Sequence, residues 1–405
     1  MRLLPAGITR EARILYVGRG LRAFGDGFVS LLLPVYITAL GFDAFAVGLI
    51  STATLLGSAA LTIIVGLTAH RVGRRSLLVI ASVIMIGTGI GFLLERDLWP
   101  LVAIAFLGTL NPSPGDVSVF YPLEQALLAE SAPAQNRTSA FAMYSLVGSL
   151  VAALGALAAG LPELLHEQLS LDLLTALQAM FAVYTVLGLV TYHLYRRLPA
   201  TLDRREAVAS SPLGPSKRIV FTLAALFSLD SFGGGLVVQS LLALWLFQHF
   251  GLSLVAAGSI FFWAGLFTAL SYLAAVRLSR RFGLVNTMVF THLPANFCMI
   301  ALPFAPNLTI AIALLLVRAA LSQMDVPTRS SYVMAVVTPP ERAAAASVTA
   351  LPRSLASAVA PMLSGWLFAL SPFGWPLIAA GGLKAVYDVL LLVLFQHHKP
   401  PEEQN

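Results

Sequence analysis

The sequence predicts an all-α membrane protein: twelve transmembrane helices in two pseudo-symmetric six-helix bundles. Three observations predict it. Of the 405 residues, 58% are hydrophobic and only 11% charged, and the mean hydropathy is +0.84. Soluble domains average about 25% charged residues. Twelve apolar runs match or exceed the roughly 20 residues that a helix needs to cross a bilayer. Between the second and third runs lies a basic turn, Gly66-Leu-Thr-Ala-His70-Arg71-Val-Gly73-Arg74-Arg75, and a weaker copy, Arg277-Leu-Ser-Arg280-Arg281-Phe-Gly283, returns about 210 residues later. One copy per half-chain marks a tandem repeat.

The runs fall at 14–40, 44–69, 76–95, 98–130, 137–161 and 171–195, then at 218–248, 253–276, 284–304, 307–337, 343–370 and 373–396. The first follows Arg2, Arg10 and Arg13 without a small-residue cleavage site, so it is read as a retained span. The second ends in the basic turn. The fourth contains Asn111-Pro-Ser-Pro-Gly-Asp116, whose two prolines remove backbone donors and predict a kinked or broken helix. A local kink is expected at Pro327 in the tenth. Residues 199–217 have linker composition, which sets an N-terminal bundle at 1–198, a linker at 199–217 and a C-terminal bundle at 218–405. The halves align further: Phe24-Gly25 with Phe232-Gly233, Val47-Gly48 with Ala257-Gly258, Pro122 with Pro327, and Asn136-Arg137 with Glu341-Arg342.

One set of loops carries Arg71, Arg74, Arg75, Arg137, Arg196, Arg197, Arg277, Arg281 and Arg342. The alternate set carries Asp43, Glu95-Arg96-Asp97, Glu163, Glu167 and Asp172, and its later members have no Lys or Arg. Positive loops stay cytoplasmic, so both termini are expected there. Arginine outnumbers lysine 22 to 3, which points to a GC-rich bacterial genome and hence a bacterial inner membrane. The net charge of +6 lies in short loops and does not imply nucleic-acid binding. A single cysteine, Cys298, excludes an intramolecular disulfide and multi-cysteine metal centres. No G-x-x-x-x-G-K-[ST] loop supports ATP-driven transport. The histidines, His292 among them, read as scattered over loops, span ends and the tail. No metal, cofactor or enzymatic constellation is expected.

On these residues the chain resembles the major facilitator superfamily. The resemblance covers two six-helix halves, the central linker and the signature G-x-x-x-D-R-x-G-R-[RK], matched by Gly66, Arg71, Gly73, Arg74 and Arg75. His70 stands where the family carries Asp. The resemblance implies a cytoplasmic gate at this turn; the residues alone also allow a topological anchor. It implies a monomeric secondary transporter with a small-molecule substrate and a lipid bilayer around it. Helices 1, 4, 7 and 10 would line the cavity.

Ionisable groups at membrane depth are costly and mark functional candidates. Arg22 and Asp26 share a face one turn apart, as a structural pair or as a proton site. Asp116, Glu124 and Asp230 are the other proton-coupling candidates, and Asp230 has no cation within a turn of its own helix. Arg318, Arg353 and Asp116 are candidates for substrate binding. Asp325 and Arg329 are expected to pair near the gate, and Lys384 and Asp388 to satisfy each other. The first functional expectation is efflux of an amphipathic compound driven by a proton gradient. The alternative is uptake or exchange of a small organic anion.

Overall fold

The computed structural model describes residues 9–113, 118–131, 137–200, 213–338 and 341–396. The first six spans are α1 (Arg10–Ala39), α2 (Ala44–Val72), α3 (Arg74–Leu94), the pair α4 (Leu98–Leu107) and α5 (Phe120–Ser131), α6 (Arg137–Ala158) and α8 (Leu173–Arg196). A short helix, α7 (Leu161–Leu169), precedes α8. The last six are the pair α9 (Lys217–Leu236) and α10 (Gln239–Phe250), α11 (Leu254–Phe282), α12 (Leu284–Ala301), the pair α13 (Leu308–Leu321) and α14 (Asp325–Val336), α15 (Arg342–Leu370) and α16 (Trp375–Phe395). Nine helical stretches among the described residues are long and apolar enough to cross a membrane. The other three expected spans are the broken fourth and tenth, and α15, which is 29 residues long but mixes Ser, Thr and Arg with its apolar residues.

The break in the fourth span lies where the prolines predict it. The tenth span breaks in the same register: Pro122 is the third residue of α5 and Pro327 the third of α14. A first-turn proline forgoes no helical hydrogen bond. A further break was not expected. The seventh span reads as continuous but stops at Leu236 and restarts at Gln239. Its freed backbone groups find partners in other spans. Ser364 Oγ donates to the Leu236 carbonyl at 2.6 Å, and Ser240 N–H donates to the Pro112 carbonyl in the fourth-span break at 3.0 Å. The two breaks thus satisfy each other across the halves, as a low-dielectric setting demands.

Gly73 and Gly283 precede α3 and α12 with φ of 88° and 84°. Only glycine adopts this region at little cost, which accounts for a glycine at the same point of both basic turns. Arg75 donates to the Arg196 carbonyl at 3.0 Å and so caps the end of α8.

The halves close against each other on the face opposite the basic turns. There Gly48 of α2 packs on Gly365 of α15. A Cβ at Gly48 would lie 2.4 Å from the Pro361 carbonyl oxygen and 2.9 Å from Gly365 Cα. Thr52 accepts from Met362 N–H (2.9 Å), Gln239 donates to Ser30 (2.9 Å), and Glu163 accepts from Val255 N–H (2.9 Å). One hydrophobic cluster runs from the first half into the far ends of the second, through Trp245, Phe261 and Leu377. A separate cluster, with Val220, Phe227, Tyr332 and Tyr387, fills the second half near the basic turns. Continuous apolar contact between halves is therefore confined to the far face. Towards the basic turns, Leu67 of α2 and Leu351 of α15 are exposed.

The chain entering α9 is tied down by Glu341, in the loop before α15. Its carboxylate accepts from Gly214 N–H, from Ser216 N–H at 3.3 Å and from Thr338 Oγ1 at 2.8 Å. The Ser216 side chain, with Gly214 N–H next, holds its carboxyl below the usual carboxylate range. A depressed acid stabilises above its unfolded value, about 4.3, and loses that contribution as pH falls below it. Amide exchange at Gly214 and Ser216 should lose protection below about pH 4.3. In Glu341→Gln the protection should already be reduced at pH 7. Equal protection at both pH values in the wild type would exclude this anchor.

Candidate functional site

The cavity-side charges assemble into one cluster per half. In the first half, Arg22 of α1 pairs with Glu124 of α5. Tyr144 of α6 and Tyr195 of α8 donate their hydroxyls to the same carboxylate. Arg22 also donates to Ser118 at 3.4 Å and lies over the Phe120 ring at 4.2 Å. Asp26, one turn from Arg22, is not its ion-pair partner. It accepts a hydrogen bond from Asn111 at the fourth-span break, within electrostatic reach of Arg19 and Arg22. Asp116 lies outside the described residues.

In the second half, Asp230 of α9 meets Arg329 of α14 at 3.0 Å and Lys384 of α16 at 2.6 Å. Arg329 bridges to Asp325 at 3.2 Å, as expected from their spacing. His292 of α12 is buried, with Nδ1 3.0 Å from Asp388 and Nε2 3.8 Å from Asp230. Asn296 donates to Asp388 at 2.7 Å. The two halves hold the same pair with the signs exchanged. Arg22 and Asp230 occupy matching positions of the first and seventh spans, and Glu124 and Arg329 those of the fourth and tenth.

Three sequence expectations need correction. Asp230 is not a carboxylate remote from cations, because two other helices bring Arg329 and Lys384 to it. Lys384 and Asp388 do not satisfy each other: Lys384 reaches Asp230, and Asp388 takes His292 and Asn296. His292 is not a loop or span-end residue but sits in the middle of α12 among these carboxylates. A signal existed. Ala182-Val-Tyr184-Thr185 and Ala385-Val-Tyr387-Asp388 align, and the offset of the basic turns sets Ser82 opposite His292. The second half thus carries ionisable groups where the first has Ser82 and Thr185.

The cationic candidates separate. Arg318, in the last turn of α13, has Cys298 of α12 as its electrostatic neighbour. It shares a helical stripe with the buried Ala311 and Leu315, and α13 packs on α11 and α12, within the second half. Arg353 of α15 is half-buried between the halves. Asp230, Asp325 and Arg329 lie within electrostatic reach on one side and Tyr121 of α5 on the other, and among the described residues it makes no ion pair. At the gate, Gly66 faces open space, Arg71 is exposed and Arg74 half-buried. The side chain of His70 is outside the description.

Two broken, repeated bundles that close on one face around paired charges form the architecture of a secondary transporter. The sequence matches the family model of the Major Facilitator Superfamily over residues 15–324 and 231–405. The chain belongs to the major facilitator superfamily. An uncharacterized membrane protein of Saccharomyces cerevisiae, YJR124C, is 24% identical over 423 residues, covering 96% of this chain and 94% of its own. The nucleoside transporter NupG superimposes with a TM-score of 0.73 at 14% identity, covering 96% of this chain and all of its own. The xylose transporter XylE from E. coli gives 0.72 at 13% identity, with 98% and 100% covered. These structures establish the fold. The family and both neighbours are transporters, not enzymes. A full-length yeast relative does not favour the bacterial source suggested by the arginine excess.

Proposed function

We propose that this protein is a secondary active carrier that moves a small organic anion by alternating access and holds it at Arg353. The single observation behind the reading is Arg353 itself: a guanidinium between the halves, half-buried and without an ion pair among the described residues. Such a group binds a carboxylate or phosphate bidentately. Most described acids of the site already have cationic partners, so they are poorly placed to receive a cationic substrate. Proton-driven efflux of an amphipathic compound, the first expectation, rests on the basic turn, which does not bear on substrate charge. With the basic turns cytoplasmic, the closed far face is the outer gate and the state is inward-facing. The bilayer, a proton gradient and a monomeric carrier complete the reading.

Purified protein in liposomes tests it against a panel of radiolabelled mono- and dicarboxylates and organophosphates. At least one should enter saturably and faster with an inward proton gradient. Arg353→Ala should lower that flux at least tenfold, the value of about 1.4 kcal/mol, and Arg353→Lys should lower it less. Unchanged flux in Arg353→Ala, or transport restricted to neutral and cationic compounds, overturns the assignment.

A further inference from the structure

The second-half cluster contains more than the ion pair that the repeat supplies. Its core is Asp230 with Arg329, matched in the first half by Arg22 with Glu124. To this are added His292 and Asn296 of α12 and Lys384 and Asp388 of α16. His292 lies between two carboxylates, with Nδ1 facing Asp388 and Nε2 facing Asp230. A neutral imidazole with its proton on Nδ1 donates to Asp388 and turns a lone pair towards Asp230. An imidazolium would offer a proton to both.

Charge balance links this ring to Arg353. Counted as ionised, Asp230, Asp325 and Asp388 carry three negative charges; Arg329 and Lys384 supply two positive ones in direct contact with this group. Arg353, within reach of Asp230 and Asp325, supplies the third. On this count the group sums to zero around an uncharged imidazole when no anion sits at Arg353. An anion held at Arg353 leaves one uncompensated negative charge in a low-dielectric interior, which is costly.

We propose that His292, between Asp388 and Asp230, is the proton-binding site of the carrier, and that it fills when an anion binds at Arg353, which makes transport a proton–anion symport. The proposal rests on the anion reading above. Other charged and titratable groups around α12 do not replace His292 in this role. From α16 come Lys384 and Tyr387, whose ring lies 6.1 Å from the imidazole; Lys384 is engaged by Asp230. From α14 come Asp325 and Arg329, paired with each other. From α13 comes Arg318, near Cys298. From α11 come Tyr272, bonded to Gln323, and the exposed Arg277 and Arg281 near the turn. By linkage, protonation must raise anion affinity by the same factor that the anion raises proton affinity.

The test needs no identified substrate, because Arg353→Gln removes the same positive charge that a bound anion would neutralise. Histidine side chains are labelled with ¹⁵N in the full-length protein in nanodiscs, and the imidazole resonances are followed from pH 5 to 9. The His292 signal is assigned by its loss in His292→Gln. If that variant does not fold, its insensitivity to a soluble paramagnetic agent assigns it, since the residue is only 3% exposed. The expected result is a midpoint at least one pH unit higher in Arg353→Gln than in the wild type, a tenfold gain in proton affinity. Arg353→Lys should leave it in place, and Asp388→Asn should lower it. A midpoint that does not move in Arg353→Gln, or a ring neutral throughout in both proteins, overturns the proposal. If anion flux depends on Arg353 while the midpoint stays fixed, the carrier reading stands and this site falls. If the midpoint moves but no anion is carried, symport falls with the anion reading and only the electrostatic coupling remains.

Discussion

Gly48→Leu should drive the carrier out of the state with its far face closed. The added Cβ would meet the Pro361 carbonyl oxygen at 2.4 Å and Gly365 Cα at 2.9 Å. Both are backbone atoms on the opposing helix, so no side-chain rotation relieves the clash and α2 must part from α15. Overpacking of this kind costs about 1–3 kcal/mol, a factor of roughly 5–150 in a two-state population. The other cross-half contacts of the far face, such as Thr52 with Met362 and Gln239 with Ser30, would go with it. Spin labels at the far-face ends of α2 and α15 should report a longer distance, and labels at Leu67 and Leu351 a shorter one. Flux should fall steeply because the return step now starts from a favoured open state. Gly365→Leu should act in the same direction, since its Cβ would lie 2.6 Å from the Ala44 carbonyl oxygen. Unchanged distances in both variants would show that this crossing does not set the closed face.

Arg22→Ala should be the most damaging single change to the stability of the first half. It leaves Glu124 buried with a charge and without its cation. Removing one partner of a buried pair costs about 3–5 kcal/mol. Arg22→Met together with Glu124→Leu should recover part of the loss, because no buried charge remains. Recovery should be incomplete: the Tyr144 and Tyr195 hydroxyls both donate to Glu124, and an unsatisfied buried donor costs about 1–3 kcal/mol. Thermal unfolding in detergent measures all three proteins. A double variant no more stable than Arg22→Ala would mean that packing around Arg22, not charge pairing, dominates.

The parts of the fold legible in the sequence depend on local chemistry. Apolar length gave the spans, and proline gave the break after Leu107. Gly73 and Gly283 stood out as members of the repeated basic turn, and their positive φ at the entry to α3 and α12 came from the structure. The repeat was visible because the basic turns recur at a constant offset. The break at Val237–Val238 was less legible, since it carries no proline and is stabilised by Ser364 of α15 and by the Pro112 carbonyl in the fourth-span break.

The candidate site was only half legible. The sequence located the buried charges, because an ionisable residue inside an apolar run stands out by itself. It did not supply their partners. Arg22 and Glu124 are 102 residues apart, and Asp230 and Arg329 are 99 apart. The tempting local partners, Asp26 one turn from Arg22 and Asp388 one turn from Lys384, were not the ones taken. The exchanged signs also hid the symmetry, since matching by identity cannot align arginine with aspartate. His292 was passed over because a lone histidine in an apolar run has no distinguishing local pattern.

What the sequence determined by itself is that the chain crosses the membrane many times as two related halves, and where its costly charges lie. Only the tertiary structure decided which charges neutralise each other, and that Arg353, between the halves, makes no ion pair among the described residues. The reason is physical. Hydrophobic length and backbone breaks are properties of one segment in the bilayer, whereas a buried charge is stabilised by whichever helix the fold brings within about 4 Å of it.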